Sequence, residues 1–281
     1  MFHLTCFITC TDTCNICICI RTISEGNNRF KLLCMVLLQN GIELDLKQYI
    51  TKYTFIKTYH VDKIIPLSQA RNLLISNCQI EESAYYMFPD DDSTFDISFF
   101  DNFERNVCGN TLISVKASQD KVSYFVKMPD RRYSRKIDYH YAITVNMIIT
   151  GKTLLQVGKF DEELGVGNYY GSGEDNDFFI RCNAIEPFTF SNELWNYHPL
   201  QKDNLNLPLN KLILRYKSYG RGIVYMLIKH KMICSIMTVI IRGYCGCIYN
   251  ILKLNFRMSY VYFLAANARL YTFIKNINKI C

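Results

Sequence analysis

The chain has 281 residues, 49% hydrophobic and 14% aromatic, which suits one large domain or one domain with an appendage and excludes a disordered chain. Its net charge of +7 conceals an asymmetry: residues 205–281 hold twelve Lys/Arg and no Asp or Glu, leaving 20 basic and 25 acidic residues to the rest. Large aliphatics interleave with the tail's charges, which argues against a nucleic-acid arm and for an anionic membrane surface.

The first two hundred residues alternate two kinds of segment. Residues 4–9 read as a strand and 16–24 as a short helix, ended by Glu25-Gly26-Asn27-Asn28. The apolar run 30–38 suits a central strand and closes on the turn Gln39-Asn40-Gly41. Residues 44–52 are expected to be helical, 53–59 a strand, and 68–77 a helix with Ser68 as its N-cap. Strand 85–88 then leads into Asp90-Asp91-Asp92.

Beyond it, 97–107 is amphipathic and 111–116 a strand, while 117–138 is a polar surface excursion. A strand over 139–149, a helix over 152–158, a loop to Gly173, a helix over 174–182 and a strand over 192–197 follow. This rhythm predicts an α/β fold whose parallel, doubly wound sheet binds nucleotides at the carboxyl ends of its strands. No stretch reaches ~18 uncharged apolar residues. The tail, 205–281, is expected to form amphipathic helices lying at a membrane interface, attached to a body of residues 1–204, with an ordinary basic helical subdomain packed on that body as the alternative.

Thirteen cysteines are present. Cys10, Cys14, Cys17 and Cys19 lack a paired CxxC framework and a nearby His, so buried free thiols are the expected state, in a cytoplasmic body. The N-terminus has neither the positive region nor the cleavage site of a signal peptide.

Three carboxylates at the end of a buried strand are costly unless something positive neutralises them. Mg²⁺ or Mn²⁺ carrying a diphosphate would do so, and a solvated acidic turn is the alternative for the triplet taken alone. A second acidic cluster, Gly173-Glu174-Asp175-Asn176-Asp177, lies far away in sequence. Charge pairing with a helix dipole is its simplest reading in isolation.

Four segments occur together in order. They are Leu67-Ser68-Gln69-Ala70-Arg71-Asn72, Phe88-Pro89-Asp90-Asp91-Asp92, Val157-Gly158-Lys159-Phe160-Asp161-Glu162-Glu163-Leu164-Gly165, and Ser172-Gly173-Glu174-Asp175-Asn176-Asp177 with Arg181. Together they resemble the GT-A glycosyltransferases of the family 2 type that assemble bacterial polysaccharides, across residues 4–200. Tyr219-Gly220-Arg221-Gly222 before a basic tail is also similar to bacterial members.

The resemblance implies a GT-A fold, a Rossmann-like, mostly parallel sheet with helices on both faces, followed by the basic helical tail. It implies a DxD element in which Asp92 holds Mn²⁺ or Mg²⁺ and Asp90 reaches the ribose or a metal-bound water. Asp91, between them beside the nucleotide sugar, is expected to face solvent or serve structure. His198 would complete the metal site, with a structural histidine as the alternative. Asp175 would be the general base and Glu174 would orient the acceptor. Thr9, Asp12, Gln39 and Arg71 would contact the nucleotide sugar, Gln39 standing where the family often has an Asp. The implied reaction is inverting transfer of a sugar from a nucleotide sugar, UDP-linked, to a lipid-linked oligosaccharide at the cytoplasmic face of the bacterial inner membrane. A nucleotidyltransferase would want a glycine- and base-bearing loop after the first strand, which Thr9-Cys10-Thr11-Asp12 is not. A decayed, non-catalytic relative is disfavoured by the intact Asp90, Asp92 and Asp175.

Overall fold

The computed structural model describes residues 3–200 and 207–279, which divide into two compact units: 3–160 with 178–200, and 161–177 with 207–279. The loop 161–177 thus packs with the C-terminal helices.

The first unit is built on an eight-stranded sheet ordered β3-β2-β1-β4-β7-β5-β6, with β8 also paired to β5. The strands β1 (Leu4–Cys10), β2 (Leu32–Leu38), β3 (Thr54–His60) and β4 (Tyr85–Met87) run parallel. β2 is uninterruptedly apolar because both of its faces are covered. β7 (Met147–Thr150) is antiparallel to β4, and β5 (Thr111–Ala117) is antiparallel to β7 and to β6 (Tyr124–Val126). β8 (Thr189–His198) runs parallel to β5.

Helices α1 (Thr13–Gly26), α2 (Leu67–Ser76), α3 (Ile97–Asn106) and α4 (Gly151–Val157) connect the strands. Ile16, Cys19, Ile20 and Ile23 of α1 join Phe99, Phe100 and Phe103 of α3 and the inward residues of β1 and β2 in one core. The architecture is α/β with a central sheet flanked by helices and a C-terminal helical region.

Three local expectations are corrected. Residues 44–52 form only a 3-10 turn at Lys47–Tyr49, because Asp45 Oδ1 accepts from Lys47 N and Thr51 Oγ1 accepts from Thr54 N. Ser68 does not cap α2: Pro66 stands at the N-cap and Ser68 is buried inside the helix. The strand expected over 139–149 shrinks to β7, since Asn146 accepts from Ile143 N and donates to Tyr141 O, winding the preceding residues into 3-10 turns.

Of the four cysteines expected to be buried free thiols, Cys10 and Cys19 are, while Cys17 is half-buried and Cys14 exposed at the start of α1; Cys6, Cys34 and Cys182 are buried free thiols too, and Cys108, Cys234 and Cys245 are exposed.

In the second unit, α6 (Leu209–Lys229), α7 (Ile233–Leu252) and α8 (Phe256–Asn276) follow one another, and α8 packs extensively against both α6 and α7. α7 runs through Arg242 without a break. Among the described residues it is the one helix long and apolar enough to cross a membrane, with mean hydropathy 1.4. Only Ile236, Ile240 and Gly243 of α7 are buried. α5 (Glu174–Ile185) begins in this unit and ends in the first.

Candidate functional site

The parallel strands deliver three loops to one edge of the sheet: Asp12 after β1, Gln39 after β2 and Asp90 after β4. Residues 90–93 make a tight turn, Ser93 N donating to Asp90 O at 3.0 Å. The chain then pairs Thr94 with Tyr197, Thr94 N to Tyr197 O at 3.0 Å and Tyr197 N to Thr94 O at 2.9 Å. That bridge sets His198, the last residue of β8, beside the triplet.

His198 is 5% exposed, and its Nε2 lies 3.4 Å from Asp90 Oδ2 and 3.3 Å from Asp92 Oδ1. Its Nδ1 faces Pro199 O at 2.9 Å. An Nδ1–H donated there leaves the Nε2 lone pair on the carboxylate side, the tautomer a metal ligand needs. Phe125 stacks on the imidazole at 5.4 Å.

Arg71, 3% exposed on α2, donates to Thr144 Oγ1 at 2.6 Å and to Asp90 Oδ1 at 3.4 Å, with its guanidinium 5.4 Å above the Phe160 ring. Burial works against the Asp90 carboxylate, but His198 and Arg71 outweigh it and hold the carboxyl below its ordinary range. Burial also opposes the His198 cation, yet Asp90 and Asp92 raise its pKa. Asp92 is raised, by burial first and the Asp90 charge after it, against the pull of His198.

Asp91 is half-buried against the Cys10 thiol at the end of β1. Burial, then the charges of Asp92 and Asp90, push its carboxyl up to about 6. Asp12 is exposed and caps α1, accepting from Cys14 N at 2.9 Å. Gln39 is buried, and its Oε1 accepts from Ile65 N at 3.0 Å, so that oxygen braces the loop after β3. Thr9 is half-buried near the end of β1.

The donor set of Asp90, Asp92 and His198 fits a divalent cation. The three ligand atoms lie within 4.8 Å of one another, the one such group of His, Cys, Asp and Glu among the described residues. Asp92 Oδ1 is sealed from solvent and accepts no hydrogen bond. A buried carboxylate oxygen without a donor is costly, and a cation would satisfy it. The 3.3 and 3.4 Å separations are close to the ~3 Å edge of an octahedron with ~2.1 Å bonds.

In the second unit, Glu174 and Asp175 open α5, with Glu174 6% exposed and Asp175 half-buried. Gly173 takes φ +90, a conformation other residues rarely adopt, to turn the chain into the helix. The loop is clamped to α6: Gly171 N donates to Ser218 O at 3.2 Å and Ser172 Oγ to Tyr219 O at 2.8 Å. A Cβ at Gly222 would stand 2.3 Å from Ser172 O, so the glycine in Tyr219-Gly220-Arg221-Gly222 admits the loop backbone. Burial and then, against Arg215, the charges of Glu174 and Asp175 raise the Tyr219 phenol, which marks Tyr219 as their neighbour.

Asp177, fully buried, is met by Lys229 Nζ and His230 Nε2, each at 2.9 Å. This brace was not visible in the sequence, because Lys229 and His230 sit 52 and 53 residues away with no motif spacing to mark them. Phe125 was hidden likewise inside the polar excursion.

No family model matches the chain, and no curated protein does. Solved structures do. The fold neighbours include S. aureus TarS 1–349, at TM-score 0.56 and 12% identity over 80% of this chain and 65% of that one. The same fragment in complex with UDP-GlcNAc aligns at TM-score 0.55 and 13% identity, over 80% of this chain and 66% of that chain. The fold is GT-A. Mannosyltransferase PcManGT from Pyrobaculum calidifontis, in complex with GDP-Man and Mn²⁺, aligns over 99% of this chain and 75% of its own length at TM-score 0.52 and 10% identity. The chain therefore spans just under two thirds of the TarS fragment, and identities this low speak for the fold alone.

Proposed function

We propose that the protein is a metal-dependent inverting glycosyltransferase that moves a sugar from a nucleotide sugar, UDP-linked, to a lipid-linked glycan. The observation that carries this reading is the convergence of Asp90, Asp92 and His198, with the orphaned Asp92 Oδ1, at the carboxyl ends of parallel GT-A strands. Neighbours of the same fold were solved with UDP-GlcNAc, and with GDP-Man and Mn²⁺, which supports a nucleotide sugar and a divalent cation here.

In this reading Asp90, Asp92 and His198 hold the metal, and the imidazole favours Mn²⁺ over Mg²⁺. A bound cation would supply Lewis-acid neutralisation of the charge that grows on the departing diphosphate. Arg71 fixes the Asp90 carboxylate in its ionised form and orients it through the Thr144 contact. Phe125 covers the imidazole face and restricts water there. Asp175 takes the proton of the acceptor hydroxyl, and Glu174 orients that acceptor. Attack by the hydroxyl opposite the leaving group is a single displacement, which inverts the anomeric carbon.

The tail would hold the enzyme on the cytoplasmic face of a bacterial inner membrane, against anionic lipid. Its charge, twelve Lys/Arg with no acid, and its exposed apolar residues, Leu252 at 77% and Leu254 at 76%, support an interfacial location. The test is a screen of UDP-galactose, UDP-glucose and their N-acetyl forms for Mn²⁺-dependent release of UDP. One of them is expected to be turned over by the wild type and by no Asp92→Ala protein; metal-independent turnover, or none with any nucleotide sugar, would sink the reading.

A further inference from the structure

Two further sealed oxygens stand beside His198 and Asp92 Oδ1. Ser93 Oγ and Asn196 Oδ1 are closed off from solvent, and among the described residues neither has a hydrogen-bond partner. Both residues are fully buried. The Thr94–Tyr197 bridge is an antiparallel pair closed by two hydrogen bonds, so Ser93 falls opposite His198. Side chains directly opposite in such a pair have Cβ atoms about 4.5–5.5 Å apart. Asn196 stands two residues before His198 on β8, and the strand's period of two puts both on one side.

The amide of Asn196 has a fixed sense. Its Nδ2 donates to Val145 O at 2.7 Å, a carbonyl that can only accept, so Oδ1 is the end left without a donor. Val145 follows Thr144, whose hydroxyl receives Arg71, the same arginine that reaches Asp90. The amide is thereby tied to the frame that holds the acidic turn. A buried carbonyl oxygen calls for a donor or a cation, and a buried hydroxyl oxygen can meet either. Neutral oxygens of both kinds are hard ligands, which Mg²⁺ and Mn²⁺ accept beside carboxylates.

We infer that Ser93 Oγ and Asn196 Oδ1 belong to the cation site, as neutral oxygen donors beside Asp90, Asp92 and His198. Their role rests on the metal-dependent reading above. Two carboxylates already balance a divalent charge. A third acid would hold the cation more tightly but would repel an incoming diphosphate, whereas a hydroxyl and an amide add donors without adding charge. The two residues thus strengthen the hold on the metal without closing the site to a nucleotide.

The test titrates the full chain with Mn²⁺ and with Cd²⁺ in the absence of nucleotide, then titrates the Mn²⁺-loaded protein with UDP. Asn196→Asp is expected to bind Mn²⁺ about tenfold more tightly and, once loaded, UDP about tenfold more weakly. A residue with a purely structural role would not move the two affinities in opposite directions. Ser93→Cys exchanges a hard oxygen for a soft sulfur, so its preference should shift toward Cd²⁺ by about tenfold or more, with an ultraviolet sulfur-to-cadmium charge-transfer band. Asn196→Asp that fails to tighten Mn²⁺, or Ser93→Cys that keeps the wild-type preference, overturns the inference. Should Asn196→Asp not fold, having lost its bond to Val145, Ser93→Ala replaces it: Mn²⁺ binding should weaken about tenfold, and unchanged affinity is contrary. Wild type that binds no Mn²⁺ overturns the inference together with the metal-dependent reading. The expected shifts in a protein that turns over no nucleotide sugar would uphold the cation site and sink the transferase alone.

Discussion

His198 Nε2 lies 3.3 Å from Asp92 Oδ1, and that oxygen accepts no hydrogen bond although it is sealed from water. The pair is close enough to share a ligand but is not aligned to satisfy itself. Replacing His198 by Ala is therefore expected to weaken Mn²⁺ binding by at least about tenfold, the scale of losses when a metal site loses a supporting group. Calorimetric titration with Mn²⁺ checks this, and unchanged affinity would return His198 to a structural role.

Asp175→Asn removes the proposed base while keeping the shape of the first turn of α5. Turnover should fall by ~10²–10⁴-fold, with the affinity for the nucleotide sugar held within experimental scatter. Parallel loss of donor affinity would instead mean that Asp175 serves the donor site.

Gly222→Ala places a methyl 2.3 Å from Ser172 O, a backbone atom that cannot swing away. Overpacking of this kind costs about 1–3 kcal/mol. Transfer should fall because the loop leading into Glu174 and Asp175 shifts, while Mn²⁺ binding stays intact. Full transfer activity in Gly222→Ala would show that the clamp between α6 and the loop is not required.

Asp177 anchors the same turn from below, through Lys229 and His230 at 2.9 Å each. Asp177→Ala removes the buried carboxylate that Lys229 Nζ and His230 Nε2 share, and breaking buried pairs costs ~3–5 kcal/mol. Chemical denaturation should register a loss on that scale; a change below about 0.5 kcal/mol, typical of surface sites, would contradict the brace.

Much of the fold was legible because apolar periodicity reports burial. The β2 run of LLCMVLL and the amphipathic α3 lie where their patterns place them. The misread segments share a cause: side chains bonding their own backbone. Asp45 and Thr51 turn a helical-looking stretch into loop, and Asn146 winds an apolar, strand-like stretch into 3-10 turns. In the site, Asp90 and Asp92 stood out because three adjacent acids after a buried strand are anomalous in any context. His198 carried only its family resemblance until the Thr94–Tyr197 bridge brought it within reach.

The central claim is that Asp90, Asp92 and His198 bind the nucleotide sugar's diphosphate through a metal ion. The affinity of UDP, measured with Mn²⁺ and with EDTA, in wild type and in Asp92→Asn, tests it most directly. UDP is expected to bind wild type at least about tenfold more tightly with Mn²⁺ than with EDTA, and Asp92→Asn should lose that gain. Equal UDP affinity with and without Mn²⁺ in the wild type would contradict the account.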